Sequence, residues 1–533
     1  MAACAKSERD SGDDSGSNAS LTVAGTGKPK NFDPIWNDDG ESFRPIQQMY
    51  EGLIGNKPGT ADLAPSLATK WDVSADGKQI TFTLRSGVKF QDGTDFNAAA
   101  VCYNFDRWFN MKGAAAQSQM IYYADVFGGF AKNEIEAAGA PYYKNCAAPS
   151  ATSAVVTLNK YRGALPAALT LPCFTIASPT ALKKYDANTV TQSGDSFTYS
   201  AFATAHPVGT GPFKFQSYDA ATGTTTLVRN DDYWGPKAKV KKLVIRTIDS
   251  EASRKQELEA GTVDVIDFPA SSDWAGLKKD GYNVLIRPAF NLLYLGINEK
   301  NPKLKDIRIR QAIAYAVNRA QLVKTQLPEG ATVAKEFMPS TLAGYTDDVE
   351  AYDYDPAKAK ALLKAAGATN LTLKFYYPSE VTRPYMPDPK AIYTAISADL
   401  QAVGIKITPV VKPWNGGYKD DVQQAGKQDL HLLGWTGDFN DAYNFVGTFF
   451  GRAKPEFGFN NPAAFAAIAA ADGEPDATKR EADYEQVNKD LMSKYLPALP
   501  ISNSPPGIAT SSKVSGLVAS PLTQELYAPV SKS

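Results

Sequence analysis

The chain alternates short apolar runs with longer segments in which apolar residues recur every three or four positions. The clearest helical segment covers residues 391–403, and Gly404 is expected to end it before a strand that begins at Ile405. Its apolar face consists of Ile392, Ile396, Leu400 and Val403. Further helices are predicted over residues 98–109, 306–324, 356–366 and 477–494. Because helices and strands alternate along most of the chain, the pattern predicts an α/β protein built in layers.

The apolar run at residues 430–433 is followed by Gly434 and predicts a short buried strand. Asp438 then lies just past the strand end, on a glycine-flanked loop beside Trp435 and Phe439. Ligands of α/β proteins bind at strand ends. A carboxylate beside an indole ring suits a cationic group such as an ammonium. The alternative is that Asp438 caps the following helix or closes a turn.

Length and composition bound the class of protein. A chain of 533 residues is too long to fold around one ordinary hydrophobic core, so two or three domains are expected. Apolar residues make up 43% and charged residues 21%, which is ordinary for a globular protein. With a net charge of −1 and scattered lysines and arginines, the sequence indicates no nucleic-acid surface. No run approaches about 20 apolar residues, so no membrane span is predicted.

The sequence offers no recognisable catalytic or metal centre. HExxH, paired CxxC and GxSxG motifs are absent, and the two histidines are His206 and His431. His206 is expected in a loop, and His431 is expected to be a partly buried core residue, with a ligand role as the alternative. Gly209 and Gly211 lack the third glycine and the lysine of a nucleotide loop, so a tight turn is predicted there. We therefore predict no enzyme activity, no metal and no cofactor.

The four cysteines suggest an extracytoplasmic protein. Cys4 follows small residues and precedes a polar, Gly/Ser-rich segment, which resembles the end of a bacterial lipoprotein signal with Cys4 as the lipidated residue. Met1 is expected to stand in place of the signal, and residues 1–19 are expected to be a disordered tether. The alternative is an unimportant cysteine in a flexible tail. Cys173 should pack as a hydrophobe, and Cys102 and Cys146 are expected to pair, although the sequence does not fix connectivity.

Many ordered blocks of the sequence resemble one known family. They are YEGL at 50–53, SADG at 74–77, LRSGVKF at 84–90, HPVGTGPF at 206–213, NDDYWG at 230–235, LEAGTVD at 258–264 and RIRQAIAYAV at 308–317. Together they span roughly residues 20 to 530, and they resemble the peptide/nickel class (family 5) of solute-binding proteins of ABC importers. The likeness is greatest to the dipeptide-binding group.

The resemblance implies a two-lobed, periplasmic-binding-protein-like α/β fold with mixed sheets flanked by helices and an extra third domain. The implied division is a tether at 1–19, lobe I at 20–56, 205–289 and 505–533, an accessory domain at 57–204, and lobe II at 290–504. The chain is expected to cross between the lobes near residues 289–291 and 501–505.

The resemblance also implies a site. Arg383, on a loop rich in proline and aromatic residues, stands where dipeptide-binding members carry the arginine for the ligand carboxylate. Asp438 stands where they hold the ligand ammonium. The other expected ligand-binding residues are Trp435, Thr436, Gly437 and Phe439 beside Asp438, Asp38 and Gly40 on the first lobe, and Trp414. The alternative for Trp414, equally compatible with the sequence, is a tryptophan of the hydrophobic core. Asp38 departs from the neutral residue of the dipeptide group, so it would strengthen ammonium binding or admit a different ligand.

The implied function is that of an extracytoplasmic receptor that binds dipeptides or short oligopeptides between two closing lobes. It would deliver them, as a monomer, to the permease subunits of an ABC importer. The protein would be anchored to the outer face of the cell membrane by lipidated Cys4 and soluble without that lipid. The alternatives are the same fold with a non-peptide cargo (haem, a nickel chelate, a sugar or an opine-like compound) and, more remotely, a peptide hydrolase.

Overall fold

The protein is described by a computed structural model that covers residues 19–135, 139–194, 196–379 and 381–533. The expected lipidation site Cys4 and most of the expected tether lie outside these residues. Three larger sheets organise the described chain, with seven, six and four strands. Three two-stranded ribbons accompany them: Ile54–Asn56 with Leu63–Pro65, Val190–Ser193 with Ser196–Tyr199, and Val514–Ser515 with Ser531–Lys532.

The seven-stranded sheet draws strands from both ends of the chain. In spatial order its strands are Phe213–Asp219, Thr224–Arg229, Lys242–Thr247, Ser20–Gly25, Val265–Asp267, Gly507–Thr510 and Asn283–Ile286. Ser20–Gly25 runs parallel to the neighbours on both sides. Three neighbouring strands therefore share one carboxyl edge.

The six-stranded sheet is formed from residues 291–503. In spatial order its strands are Thr332–Val333, Ala498–Asn503, Asn291–Ile297, Leu430–Thr436, Thr372–Ser379 and Lys406–Pro413. The last three run parallel to one another. The strand predicted at 430–433 continues to Thr436, because Gly434 pairs with Leu293 in the ladder. Gly434 instead provides room for the ring of Tyr385, which would lie 2.3 Å from an added Cβ.

The four-stranded sheet is antiparallel, in the order Ala68–Val73, Gln79–Leu84, Ser153–Leu158 and Tyr143–Ser150. A disulfide joins Cys102, on the helix packed against this sheet, to Cys146 on the edge strand. Cys173 is a buried free thiol. The apolar core of this sheet is continuous with that of the seven-stranded sheet, whereas residues 290–501 form a core of their own with Ala61 and Leu522.

Helices cover the faces of the sheets. They are Gly40–Met49, Ala98–Phe109, Ala114–Gln119, Ile121–Phe127, Leu165–Ala168, Pro179–Lys184, Ala201–Thr204, Glu251–Glu259, Trp274–Lys279, Ile307–Ala316, Arg319–Gln326, Pro356–Ala365, Pro389–Ala402, Val446–Phe450, Pro462–Asp472 and Ala477–Asp490. The helix predicted at 306–324 is divided in two, because Asn318 caps a second helix by accepting from the Gln321 N–H. In the described chain no helix is long and apolar enough to cross a membrane.

The main chain passes between the seven- and six-stranded sheets twice, at residues 287–290 and 504–506. The two crossing segments are joined to each other. The Asn291 amide donates to the Ser504 carbonyl at 2.7 Å and accepts from its N–H at 3.0 Å. Arg287 lies fully buried beside them, donating to the Gly507 carbonyl and pairing with Asp267 and Glu525 at 2.7 Å each. The crossings therefore form one connected element.

Candidate functional site

Three residues singled out in the sequence follow three adjacent parallel strands. Asp438 follows the strand Leu430–Thr436, Arg383 follows Thr372–Ser379, and Trp414 directly follows Lys406–Pro413. The carboxyl ends of parallel strands meet at one edge of a sheet, where α/β proteins bind ligands. The fold of the six-stranded sheet therefore brings these side chains together.

The seven-stranded sheet presents its own carboxyl edge across the gap. Thr26 follows the strand Ser20–Gly25, and Phe268 follows Val265–Asp267. Beyond Thr26 the chain turns into the helix Gly40–Met49, whose N-cap Asp39 accepts from the N–H groups of Glu41 and Ser42. This cap places Asp38 and Gly40 on the wall of the gap.

A cavity of about 410 Å³ lies between these two edges, and we call it the central cavity. Seven of the predicted site residues line it: Asp38, Gly40, Arg383, Trp414, Trp435, Thr436 and Asp438. Gly437 and Phe439 do not. An added Cβ on Gly437 would lie 2.2 Å from the Phe290 ring, so Gly437 faces the core. Phe439 is 1% exposed and packs into the core beside the seven-stranded sheet.

Asp438 is held by two residues that the sequence analysis did not identify. The Tyr122 hydroxyl donates to Asp438 Oδ2 at 2.6 Å. The Asp438 N–H donates to Asn444 Oδ1 at 2.8 Å, and the same oxygen accepts from Trp435 Nε1 at 3.2 Å. Asn444 thereby fixes the orientation of both the loop and the indole ring.

The electrostatic environment of Asp438 is unfavourable for a carboxylate. Burial raises its pKa to about 7, with smaller contributions from Asp125 and Asp38, although the hydrogen bond from Tyr122 opposes the shift. An aspartate in water has a pKa of about 3.9, so the buried charge lacks compensation. A cationic group placed in the central cavity beside Asp438 would supply it.

Arg383 presents the opposite charge at another wall of the cavity. Its backbone is fixed by two hydrogen bonds with Met386, 3.1 and 2.9 Å long. Its guanidinium lies over the Trp414 ring, 4.4 Å from the centroid. Trp414 is thus both nearly buried and a wall of the site. The Arg383 Nε is buried and, among the described residues, has no hydrogen-bond partner. A carboxylate is the group that such a stacked, planar fork binds best.

Asp38 and Lys419 add a second pair of charges. Burial raises the pKa of Asp38, and Lys30, 3.9 Å away, opposes that shift. Burial lowers the pKa of Lys419, and the neighbouring Arg383 lowers it further, whereas Asp38 raises it. The cavity therefore combines an acidic end at Asp438 with a basic wall at Arg383 and Lys419, which suits a zwitterionic ligand.

The two histidines lie outside the central cavity. His431 is fully buried, with Nε2 3.0 Å from Glu456 Oε1, and Tyr294 donates to the same oxygen. Gly296 leaves space for this ring, since an added Cβ would lie 1.9 Å from it. His206 stacks on Tyr185, with centroids 4.2 Å apart. No cluster of three potential metal ligands occurs among the described residues.

Comparison with known proteins identifies the family. The family model described as bacterial extracellular solute-binding proteins, family 5 (middle region) matches residues 62–456. The dipeptide-binding protein of Escherichia coli K12 is 31% identical over 529 residues, covering 96% of this chain and 94% of that protein. The chain therefore belongs to family 5 of the bacterial extracellular solute-binding proteins.

Other relatives agree on the fold but differ in their ligands. Haem-binding protein A of Haemophilus influenzae is 29% identical, covering 97% of this chain and 93% of that protein. The structure of an ABC-transporter-associated periplasmic binding protein from Helicobacter pylori, in complex with the peptide STSA, is 26% identical with a TM-score of 0.77, covering 97% and 98% of the two chains. The expected periplasmic-binding-protein fold is confirmed.

Proposed function

We propose that this protein is the receptor of an ABC importer and binds short peptides in the central cavity by their charged ends. Asp438 would hold the peptide ammonium and Arg383 the carboxylate. The observation that carries the proposal is that the central cavity is lined both by the buried carboxylate of Asp438, whose pKa burial raises to about 7, and by the guanidinium of Arg383, whose buried Nε has no partner among the described residues. An extended dipeptide spans about 7 Å, which suits a cavity of about 410 Å³.

The dipeptide-binding relative in Escherichia coli supports the peptide cargo. Side chains would occupy wet space beside Trp435 and Lys419, so binding would depend mainly on the ligand termini and backbone. The units built on the seven- and six-stranded sheets would act as lobes I and II, with residues 57–204 as an accessory domain. Ligand contacts made to both lobes at once would favour the closed state.

The closed, liganded protein would be recognised by permease subunits in the membrane. We propose that it acts as a monomer without enzymatic activity and that a lipid on Cys4 anchors it to the outer face of the cell membrane. The family of extracellular solute-binding proteins to which the chain belongs supports a binding role outside the cytoplasm. Incubation with Ala-Ala, followed by a search for free alanine, tests the absence of hydrolysis.

Isothermal titration with Ala-Ala, N-acetyl-Ala-Ala and Ala-Ala amide tests the proposal. Blocking either terminus should weaken binding at least about tenfold, which is about 1.4 kcal/mol. Asp438→Asn should lose the preference for a free ammonium, and Arg383→Ala the preference for a free carboxylate. Exposed Asp95→Asn and Arg308→Ala serve as controls. If no peptide binds the wild-type protein, the peptide assignment is wrong.

Haem is the second candidate, because the Haemophilus relative is named for it and because Trp414, Trp435 and Phe449 give the cavity aromatic walls. Among the described lining residues, Tyr122 and Tyr385 are the side chains that could ligate iron. A Soret shift on titration with haemin, removed by Tyr385→Phe, would favour haem. An unchanged Soret spectrum would leave the peptide as the ligand.

A further inference from the structure

Two cationic side chains of the central cavity lie near the same indole ring. The guanidinium carbon of Arg383 is 4.4 Å from the centroid of the Trp414 ring, and the Nζ atom of Lys419 is 5.7 Å from it. Both cations line the central cavity. Arg383 follows the strand Thr372–Ser379, and Lys419 follows the helical turn that begins at Trp414, after the adjacent strand Lys406–Pro413. Two neighbouring strand ends thus place two positive charges on one wall.

The other charged side chains that line the central cavity already have partners. Glu41 and Arg44 form an ion pair with each other at 3.2 Å. Asp38 lies 3.9 Å from Lys30. Three charged lining residues form no ion pair within the described part of the chain: Asp438, Arg383 and Lys419. The described walls of the cavity therefore present one carboxylate and two cations that lack an ionic partner.

The two cations are unfavourable for each other. Burial lowers the pKa of Lys419, and the guanidinium of Arg383 lowers it further. Asp38, on the wall formed by the other sheet, opposes that shift but also neighbours Lys30. A single ligand carboxylate would form two parallel bonds with the planar fork of Arg383 and leave Lys419 without a partner. A second anionic group is needed to compensate the charge of Lys419.

We propose that Lys419 selects ligands with a second carboxylate beside the terminal one, namely dipeptides whose second residue is aspartate or glutamate. The inference rests on the peptide function proposed above and names the class of peptide that the site prefers. With the ammonium at Asp438, the terminal carboxylate binds Arg383, and the side-chain carboxylate of the same residue binds Lys419. A lysine suits this role because its ammonium is a point charge on a flexible stem and imposes no planar geometry.

The position of the acidic residue in the peptide matters as much as its charge. The side chain of the first residue starts beside the ligand ammonium, close to Asp438. A carboxylate at that position would approach the buried carboxylate of Asp438, and juxtaposed like charges weaken binding. The isomers Ala-Glu and Glu-Ala, which carry the same net charge, should therefore differ in affinity.

Isothermal titration with Ala-Glu, Ala-Gln and Glu-Ala tests the inference. Burial raises the pKa of Asp438 to about 7, so titrations at about pH 8 keep this carboxylate ionised. The Lys419 side chain is accessible to solvent. Its ion pair with the ligand should therefore make Ala-Glu bind about fivefold more tightly than Ala-Gln or Glu-Ala, and the preference should shrink as salt is added.

Substitutions at Lys419 show whether this residue is the source of the preference. Lys419→Gln should abolish the difference in affinity between Ala-Glu and Ala-Gln, whereas Lys419→Arg, which keeps the charge, should retain it. Lys427→Gln is the matched control. Lys427 is an exposed lysine on the same connection between strands, pairs with Asp421 at 2.6 Å and does not line the central cavity, so its loss should leave the difference intact.

The neutral peptide distinguishes the ways in which the test can fail. If Ala-Gln binds the wild-type protein and Ala-Glu binds no more tightly, Lys419 does not select a second carboxylate, and the peptide function stands. The same conclusion follows if Lys419→Gln weakens both peptides by one factor, because Lys419 then shares the terminal carboxylate with Arg383. If none of the three dipeptides binds the wild-type protein, the proposed function itself fails.

Free glutamate distinguishes the two sources of this ligand chemistry. It carries one ammonium and two carboxylates, as Ala-Glu does, but no peptide bond. Glutamate should bind much more weakly than Ala-Glu, because its charged groups cannot reach Asp438, Arg383 and Lys419 together. Binding as tight as that of Ala-Glu would assign the site to a free amino dicarboxylate and overturn the assignment to peptides.

Discussion

The hydroxyl of Tyr122 lies 2.6 Å from Oδ2 of Asp438, although the two residues are 316 positions apart in the chain. Tyr122 belongs to the helix Ile121–Phe127, and Asp438 follows a strand of the six-stranded sheet. This bond joins residues 57–204, the proposed accessory domain, to the Asp438 carboxylate, which is proposed to bind the ligand ammonium. It supplies one of the few donors that favour the charged form of Asp438.

Tyr122→Phe should therefore weaken peptide binding. A hydrogen bond to a charged group contributes about 1.5–3 kcal/mol, so the Kd at neutral pH should rise about tenfold or more. The pKa of Asp438 should rise further, which moves the pH midpoint of binding upward. Calorimetry across pH measures both effects. Tyr123→Phe is the matched control, because the neighbouring Tyr123 hydroxyl is buried without a partner among the described residues; equal losses in both variants would contradict this role.

Peptide binding should tighten as pH rises through 7. Burial raises the pKa of Asp438 to about 7 in the free protein, and a bound ammonium favours the ionised form and lowers that pKa. Below this pH a proton must leave before the ligand binds, so affinity should fall by up to about tenfold per pH unit. Titrations near about pH 6 in buffers of different ionisation enthalpy should detect the released proton. In Asp438→Asn the pH dependence should vanish; a persistent slope would assign it to another group.

Glu336→Gln should stabilise the protein at alkaline pH. Glu336 is fully buried, and neither carboxyl oxygen has a hydrogen-bond partner among the described residues. Burial raises its pKa to about 9, so between about pH 5 and that value the folded protein holds a proton that the unfolded chain releases. The free energy of unfolding therefore falls as pH rises across this window.

Urea denaturation of Glu336→Gln and wild type measures this effect. The gain from the substitution should be larger at pH 9 than at pH 6, by about 1 kcal/mol or more. Glu329→Gln, at an exposed glutamate, controls for the change of net charge. An equal gain at both pH values would argue against titration of Glu336.

Reduction of the Cys102–Cys146 disulfide should destabilise the protein. The two residues are 44 positions apart. In the chain-entropy account, cross-linking a loop of that length lowers the entropy of the unfolded chain and stabilises the folded protein by about 4 kcal/mol. Chemical unfolding with and without reductant measures the difference. The double variant Cys102→Ala/Cys146→Ala should be insensitive to reductant, since the remaining described cysteine, Cys173, is a buried free thiol.

Arg162→Met should loosen the contact between the four- and six-stranded sheets. The buried Arg162 guanidinium lies 3.4 Å from Asp472 and 4.3 Å from the Tyr443 ring centroid. Removing one partner of a buried ion pair costs about 3–5 kcal/mol, to be measured by urea unfolding. Asp472→Asn added to this variant should restore part of the loss. Additive losses in the double variant would show that the two side chains do not interact.

Local sequence patterns predicted much of the fold and part of the site. The helix predicted at 391–403 is confirmed at Pro389–Ala402. This prediction succeeded because the apolar residues of the segment recur with a clear helical period. Asp438 could be identified because it follows a recognisable strand, whereas Arg383 was identified by its resemblance to the ligand-binding arginine of dipeptide-binding members. Their approach to Asp38 is a tertiary effect, and their binding role stays a prediction.

Other features had no local signal. Tyr122 is one of 26 tyrosines, and the residues near it in the sequence do not indicate its hydrogen bond to Asp438, 316 positions away. Phe439 was predicted to face the site, but its side chain packs into the core. The direction of a side chain on a loop cannot be deduced from its neighbours in the sequence. Gly434 was interpreted as a strand end, whereas it accommodates the Tyr385 ring, a contact between distant segments.

The reciprocal pairing of Asn291 with Ser504 has a mechanical consequence. If the two crossing segments were not joined, the halves built on the seven- and six-stranded sheets could twist, slide or bend at each segment independently. Here the side-chain amide of Asn291 joins the two crossing segments by hydrogen bonds. Arg287 anchors them to the half that contains the seven-stranded sheet through its ion pairs with Asp267 and Glu525. We expect these bonds to restrict the relative motion of the two halves to rotation about the crossing segments, which would give any opening of the cleft one preferred direction.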